Sequence, residues 1–238
     1  MDKGLGGKIA LITGGTGGLG RAVTLAFLHE NATVIASYLV EEEADALRAA
    51  VGSSARLELQ RLDATDEAAC NNLVAGITAR YGRLDILVNT IGGYAGSRPL
   101  WETEPRIWQA MFSLNLNAGY ALARAVVPAM LKQQSGAIVN IAARAALDHA
   151  AGAAAYAASK SAALAMFDCL AQDVKGRGIR VNSVLPSIID TEANRRAMPS
   201  AEFSKWPKPE EIAQVILFLC TEEAALIHGA AIPVYGQS

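Results

Sequence analysis

The sequence predicts an α/β protein built on a doubly wound, parallel sheet with helices on both faces. Three observations predict it. Short apolar runs alternate with longer helical stretches along the whole chain, which is the order of βαβ units. A glycine-rich segment, Thr13-Gly14-Gly15-Thr16-Gly17-Gly18-Leu19-Gly20, separates the first run from the first helix. Of the 238 residues, 52% are hydrophobic but only 6% aromatic. The core is therefore made of Ala, Val, Ile and Leu, as suits strands covered on both sides.

The elements follow in order. Lys8–Thr13 is a strand, carrying the apolar run Ile9 to Ile12, and a helix runs from Leu19 to Glu30 after the glycines. Thr33–Tyr38 is the second strand. The helix after it opens on Glu41-Glu42-Glu43, a favourable place for negative charge at the positive end of a helix. Leu57–Leu62 is a strand, Asp66 caps a helix that reaches Tyr81, and Leu84–Thr90 is the fourth strand. Pro105 opens one long helix to Lys132. Ala137–Ala142 is a strand, Ala153–Lys175 an alanine-rich helix, Arg180–Leu185 a strand, Pro209–Thr221 a helix and Ala231–Val234 a last short strand. No linker, repeat or low-complexity block interrupts this alternation, so residues 1–238 read as one domain. Crossovers in such a sheet are right-handed, and ligands bind at the carboxyl ends of its strands.

Charge and cysteine content narrow the function classes. Lys+Arg 21 against Asp+Glu 23 gives a formal charge of −2. No basic field points to nucleic acid or to an anionic membrane as partner. The apolar content and low charge exclude a disordered chain. Cys70, Cys169 and Cys220 are distant and odd in number, against a disulfide framework or zinc site, and are expected to be buried or inert. His29, His149 and His228 are scattered, so no metal site is expected. The run Ile9 to Ile12 is too short for a signal peptide, and Val215 to Cys220 falls far short of the roughly 20 residues of a membrane span. A cytoplasmic location is the expectation.

The glycine segment carries the first chemical signal. Glycines between a strand and a helix permit a tight turn and let backbone approach a pyrophosphate at the helix N-terminus. Two spacings fit at once: Gly15, Gly17 and Gly20 match the dinucleotide fingerprint, and Gly14, Gly18 and Gly20 a wider version. Both imply a Rossmann-type nucleotide site. An acid near the end of the second strand would grip a ribose 2′-hydroxyl, but that strand ends Ala36-Ser37-Tyr38-Leu39. Neither a carboxylate to repel a 2′-phosphate nor a cation to attract one stands there, which leaves the cofactor open with NADP(H) slightly favoured over NAD(H).

The second signal is Tyr156-Ala157-Ala158-Ser159-Lys160, where Tyr156 and Lys160 are four residues apart and share a helix face. An ammonium near a phenol favours the phenolate and lowers its pKa from about 10, making a usable proton donor. With the glycine segment, this pair resembles the short-chain dehydrogenase/reductase family over nearly the whole chain. Asn89-Thr90-Ile91-Gly92 stands where that family has Asn-Ala-Gly, and Asp63 matches its adenine-contacting Asp. Asn115 matches its structural and catalytic Asn, and Pro186 to Thr191 the segment that packs on the nicotinamide. The resemblance implies that Tyr156 donates the proton, Lys160 holds the ribose and lowers the tyrosine's pKa, and Asn115 anchors a water chain. Gly14, Thr16, Gly18, Leu19, Gly20, Tyr38, Leu39, Asp63, Asn89, Gly92, Pro186, Ile189 and Thr191 would bind cofactor together with Tyr156 and Lys160.

One departure limits the chemistry. The family's catalytic serine precedes the tyrosine by thirteen residues, and Ala143 occupies that place. Loss of an oxyanion donor costs on the order of a hundredfold in rate or more, which disfavours an ordinary ketone reductase. Gly92 to Gly96, Ala143 to Asp148, and the stretch from Leu185 to Trp206 resemble the dihydropteridine reductase branch, which has alanine at the serine position. That branch implies hydride transfer from a reduced nicotinamide to a planar quinonoid or imine substrate such as quinonoid dihydropterin, where no carbonyl oxyanion forms. Tyr94 stands where that branch has tryptophan, Leu39 or Tyr38 replaces an acid that it has near the end of its second strand, and it lacks the Asn found here at Asn115.

Tyr94, Ala143 and His149 are the expected substrate contacts, with a lid at residues 187–207. Arg144 reads either as pocket lining or as surface charge, while Trp101 and Trp108 should pack near the start of the long helix. A water or Thr90 would stand in for the serine under an alternative reading, a generic short-chain carbonyl reductase or alcohol dehydrogenase of the 3-oxoacyl reductase kind. A third reading, a non-catalytic dinucleotide-binding sensor, has no need of Tyr156, Lys160 and Asn115. The helices at 105–132 and 153–175 suit a homodimer or homotetramer, since small side chains let helices approach closely.

Overall fold

Apolar-rich runs form seven strands in the computed structural model, which describes residues 4–237. They are β1 (Ile9–Thr13), β2 (Thr33–Tyr38), β3 (Leu57–Arg61), β4 (Ile86–Asn89), β5 (Gly136–Ile141), β6 (Ile179–Pro186) and β7 (Ala231–Val234). All pair in parallel, in the order β3-β2-β1-β4-β5-β6-β7. The chain starts at the centre, winds out to β3, then returns past β1 and winds to the other edge. That reversal opens a crevice between the carboxyl ends of β1 and β4, where such sheets bind their ligands.

The helices are α1 (Gly18–His29), α2 (Glu41–Val51), α3 (Glu67–Tyr81), α4 (Pro105–Phe112), α5 (Ala118–Gln133), α6 (Ala154–Asp173), α7 (Glu192–Ala197) and α8 (Pro209–Leu219). Two cores cover the sheet. Val23 and Phe27 of α1 with Ile212 and Ile216 of α8 pack on Ile12, Val88 and Val139. On the other face Val74, Leu122, Val126 and Phe167 pack on Leu11, Leu87 and Ile138. The Asp66 cap is as expected, accepting from the backbone N–H groups of Ala68 and Ala69. Among the described residues no helix is long and apolar enough to cross a membrane.

Two expectations are corrected. The long helix from Pro105 is broken by a π-helical turn at Ser113–Asn117, so α4 and α5 are separate segments. Such wider turns occur preferentially at functional sites. Trp101 is 84% exposed, because the short 3₁₀ turn that carries it buries no residue, while Trp108 stacks on Phe112 with ring centroids 5.0 Å apart. Cys70 and Cys220 are buried, and burial pushes their thiols up to about 11 and about 12, but Cys169 is exposed.

A row of buried polar residues crosses the sheet beneath α5 and α6. Thr13, Asn89, Asn140 and Ser183 are in register on four adjacent strands. Thr13 Oγ1 donates to Asn89 Oδ1 at 3.0 Å, and Asn89 Nδ2 to Asn140 Oδ1 at 3.2 Å. Asn140 Nδ2 and Ser183 Oγ find no partner. An unpaired buried hydroxyl costs free energy, so Ser183→Ala is expected to leave stability unchanged or raise it by up to about 1 kcal/mol. Urea unfolding measures this, and a loss of more than about 1 kcal/mol would show that the hydroxyl is bonded.

Candidate active site

At the crevice the glycines are used for close approach. Gly14 has φ +68°, a left-handed backbone conformation, and a Cβ built on Gly20 would lie 2.0 Å from the Gly14 carbonyl oxygen. Helix α1 can therefore begin hard against the end of β1. Its cap residue is Gly17, no side chain caps it, and its first turn carries no acid. The N–H groups of that turn are thus left without a side-chain cap, an arrangement that fits a pyrophosphate. Ser37 fixes the loop from β2: its hydroxyl accepts from Gly14 N–H at 3.1 Å, and its carbonyl from Gly15 N–H at 2.9 Å. Thr16 is buried, and its hydroxyl donates to Glu43 Oε2 at 3.0 Å.

The residues expected to handle the proton stand across the crevice on α6. Lys160 is buried, and its Nζ donates to the Ile141 carbonyl at 2.8 Å. A Cβ on Gly92 would come within 2.8 Å of that Nζ, so the loop passes close to the lysine head. Tyr156 is half-buried, with the ring of Tyr94 edge-on at 5.0 Å. Asn115, in the π-helical turn, is fully engaged. Its Oδ1 accepts from Gly93 N–H at 2.9 Å, while its Nδ2 donates to Gly93 O at 3.1 Å and to Ser159 Oγ at 3.0 Å. Ser159 passes the chain on, donating to the Tyr156 carbonyl at 2.8 Å. The Asn115 side chain therefore ties the Gly92–Gly93 loop to α6. Ala143, 7% exposed, ends the β5 segment in extended backbone and has no hydroxyl to offer.

The remaining expected residues divide between the crevice and elsewhere. Pro186 ends β6 in the interior, and Thr191 caps α7 by accepting from Asn194 N–H at 3.2 Å. A Cβ on Gly18 would touch the Thr191 methyl at 2.8 Å, which seats the start of the 187–207 segment on the glycine loop. Leu19 is buried in α1, and Ile189 packs against the same core. Tyr38 and the exposed Leu39 end β2. Asp63 is exposed, and its carboxyl is held below the usual range by the hydroxyl and N–H of Thr65. Asn89 is interior, serving the polar row. Thr90 Oγ1 donates to Thr13 O at 2.7 Å and lies 3.2 Å from Gly14 O, so it braces the glycine loop rather than replacing the serine. His149 is exposed. Arg144 pairs with Asp148 and lies over the Tyr235 ring. Sequence reasoning missed Ser37, Ser159 and Glu43. Ser159 lay inside the Tyr–Lys motif, whereas Ser37 and Glu43 act through neighbours distant in sequence.

Comparison with known proteins agrees with this geometry. The short chain dehydrogenase family profile matches residues 8–201. The chain belongs to the short-chain dehydrogenase/reductase family. It is 36% identical over 241 residues to the 3-oxoacyl-[acyl-carrier-protein] reductase of Thermotoga maritima, covering 98% of each chain. It is 33% identical over 249 residues to the D-threitol dehydrogenase of Mycolicibacterium smegmatis, covering 99% of this chain and 94% of that one. A solved structure of ElxO with NADP bound superposes with TM-score 0.90 at 29% identity, over 96% of this chain and 97% of that one. As a member of this family the protein is an oxidoreductase that binds a nicotinamide dinucleotide, and its glycine cradle fits that group.

Burial sets the protonation of this short-chain dehydrogenase's site. It lowers Lys160 to about 8, and burial together with the neighbouring Tyr94 raises Tyr156 to about 12. The expected lowering of the phenol by the lysine is not found: burial and Tyr94 alone set its shift. A phenol that stays protonated at neutral pH suits reduction, in which it gives up a proton. Below about pH 8 Lys160 carries its charge; above it the charge is lost while Tyr156 is still protonated. Reductive kcat/KM is therefore expected to hold through neutrality and fall with a single apparent pKa near 8. A profile flat beyond about pH 9 would remove Lys160 from the rate.

Proposed function

We propose that the protein is an NAD(P)H-dependent reductase of carbonyl groups, or the corresponding alcohol dehydrogenase, with Tyr156 as the proton donor. The observation that carries this is the half-buried Tyr156 beside a buried Lys160, across the crevice from an uncapped glycine cradle. The related 3-oxoacyl-[acyl-carrier-protein] reductase and D-threitol dehydrogenase support carbonyl and hydroxyl substrates. The bound cofactor would supply or accept a hydride. Lys160 would hold its ribose, Tyr156 would deliver a proton to the developing alkoxide, and the Asn115 clamp would keep Gly92 and α6 at a fixed spacing.

A second reading rests on Ala143. A planar quinonoid or imine substrate such as quinonoid dihydropterin builds no carbonyl oxyanion, so the site as it stands would lack nothing for it. Tyr94, 64% exposed at the edge of Tyr156, offers a ring on which such a heterocycle could stack. The two readings separate in one assay of NADH and NADPH oxidation with a 3-oxoacyl thioester, a cyclic ketone and quinonoid dihydropterin. Turnover of the thioester or ketone with none of the pterin supports the first, and the reverse supports the second. No turnover of any of them, with cofactor bound, would favour a non-catalytic role.

The cofactor is read as NADP(H) ahead of NAD(H), supported by the NADP-bound neighbour and by the lack of an acid at Tyr38 and Leu39. Helices α4 to α6 present Tyr120 and Cys169 outward, and we read that face as the contact of a dimer or tetramer. The exposed free thiol suits a reducing, cytoplasmic setting.

A further inference from the structure

The first turn of α2 carries Glu41, Glu42 and Glu43, and only two of its neighbours are accounted for on the helix surface. Glu41 and Asp45 both pair with Arg48. Glu43 turns the other way. Its Oε2 accepts from Thr16 Oγ1 at 3.0 Å, and it would lie 3.9 Å from a Cβ placed on Gly17. A carboxylate from a neighbouring element thus stands over the glycine loop, on the side facing β2.

In a sheet of this topology the nucleotide runs from the β1–α1 turn toward the end of β2. There the adenosine ribose meets either an acid, which favours a free 2′-hydroxyl, or a cation, which accepts a 2′-phosphate. Tyr38 and Leu39 supply neither. We propose that Glu43 is a specificity-determining residue of the cofactor site, which selects against the 2′-phosphate from the first turn of α2. The basis is charge: a phosphate brought within a few ångströms of a fixed carboxylate is repelled, even in partly solvated surroundings. Arg61, opposite Tyr38 in the β2–β3 register, is the cation at the same end of the sheet and acts in the opposite sense. The NADPH-to-NADH ratio is then a balance in which Glu43 holds back the phosphorylated form. This rests on the dinucleotide site described above.

The test is titration of the full-length protein with NADPH and NADH, followed by nucleotide fluorescence or calorimetry, for the parent and for Glu43→Gln. Glutamine keeps an acceptor for Thr16 and removes only the charge. The expected result is about tenfold tighter NADPH binding with NADH changed by less than about threefold. An unchanged ratio, or equal changes for both nucleotides, would overturn the proposal and leave Glu43 as a support for the loop. Failure of the parent protein to bind either nucleotide would instead bring down the dinucleotide site, and this inference with it.

Discussion

Tyr156→Phe is expected to lower reductive kcat by about a thousandfold while changing substrate KM little. The magnitude is that of a positioned general acid, which contributes roughly 10²–10⁴ in rate. Phenylalanine keeps the ring that meets Tyr94 edge-on at 5.0 Å, so packing and folding are preserved and only the proton is removed. Cofactor affinity should survive, because Lys160 takes its orientation from the Ile141 carbonyl rather than from the phenol. Steady-state kinetics with nucleotide titration on the same sample separates the two. Turnover within tenfold of the parent would show that the proton comes from elsewhere.

Ala143→Ser should act in the opposite direction on ketones, raising kcat/KM by up to about a hundredfold. One well-placed oxyanion donor is worth that much or more. Ala143 is nearly buried and follows directly on β5, so the new hydroxyl would be held by rigid backbone. On a quinonoid or imine substrate the same variant should gain nothing, because no oxyanion forms to receive the bond. The contrast between substrates matters more than either number. A gain on ketones alone marks a pocket shaped for carbonyls; no gain on any ketone means that the substrate does not place its reacting atom there.

Much of this was legible in the sequence because it depends on local chemistry. Six of the seven strands fall within two residues of their expected ends, and Ala231–Val234 matches as stated. The apolar runs that define them are complete in themselves. The Tyr156–Lys160 spacing and the glycine segment were equally local. The break at Ser113–Asn117 was not, since Ser-Leu-Asn-Leu-Asn contains no proline or glycine to announce it. What accompanies the wider turn is the set of bonds that Asn115 makes to Gly93 and Ser159, both remote in sequence. Thr90 and Glu43 were misread or passed over for the same reason. Residue type gave their chemistry, but only packing shows that one hydroxyl points at Thr13 and one carboxylate at Thr16.

The Asn115 clamp has a consequence for how this scaffold can be altered. One amide fastens the chain up to Gly93 onto the helix that carries Tyr156, and the chain beyond it, through the exposed Tyr94, Leu100 and Trp101, lies outside that fastening. The boundary between what must be kept and what can be exchanged therefore falls at a single residue. Tyr94, whose ring meets that of Tyr156, has to be kept with the clamp, and segments of different length and polarity could be grafted beyond it to admit new substrates.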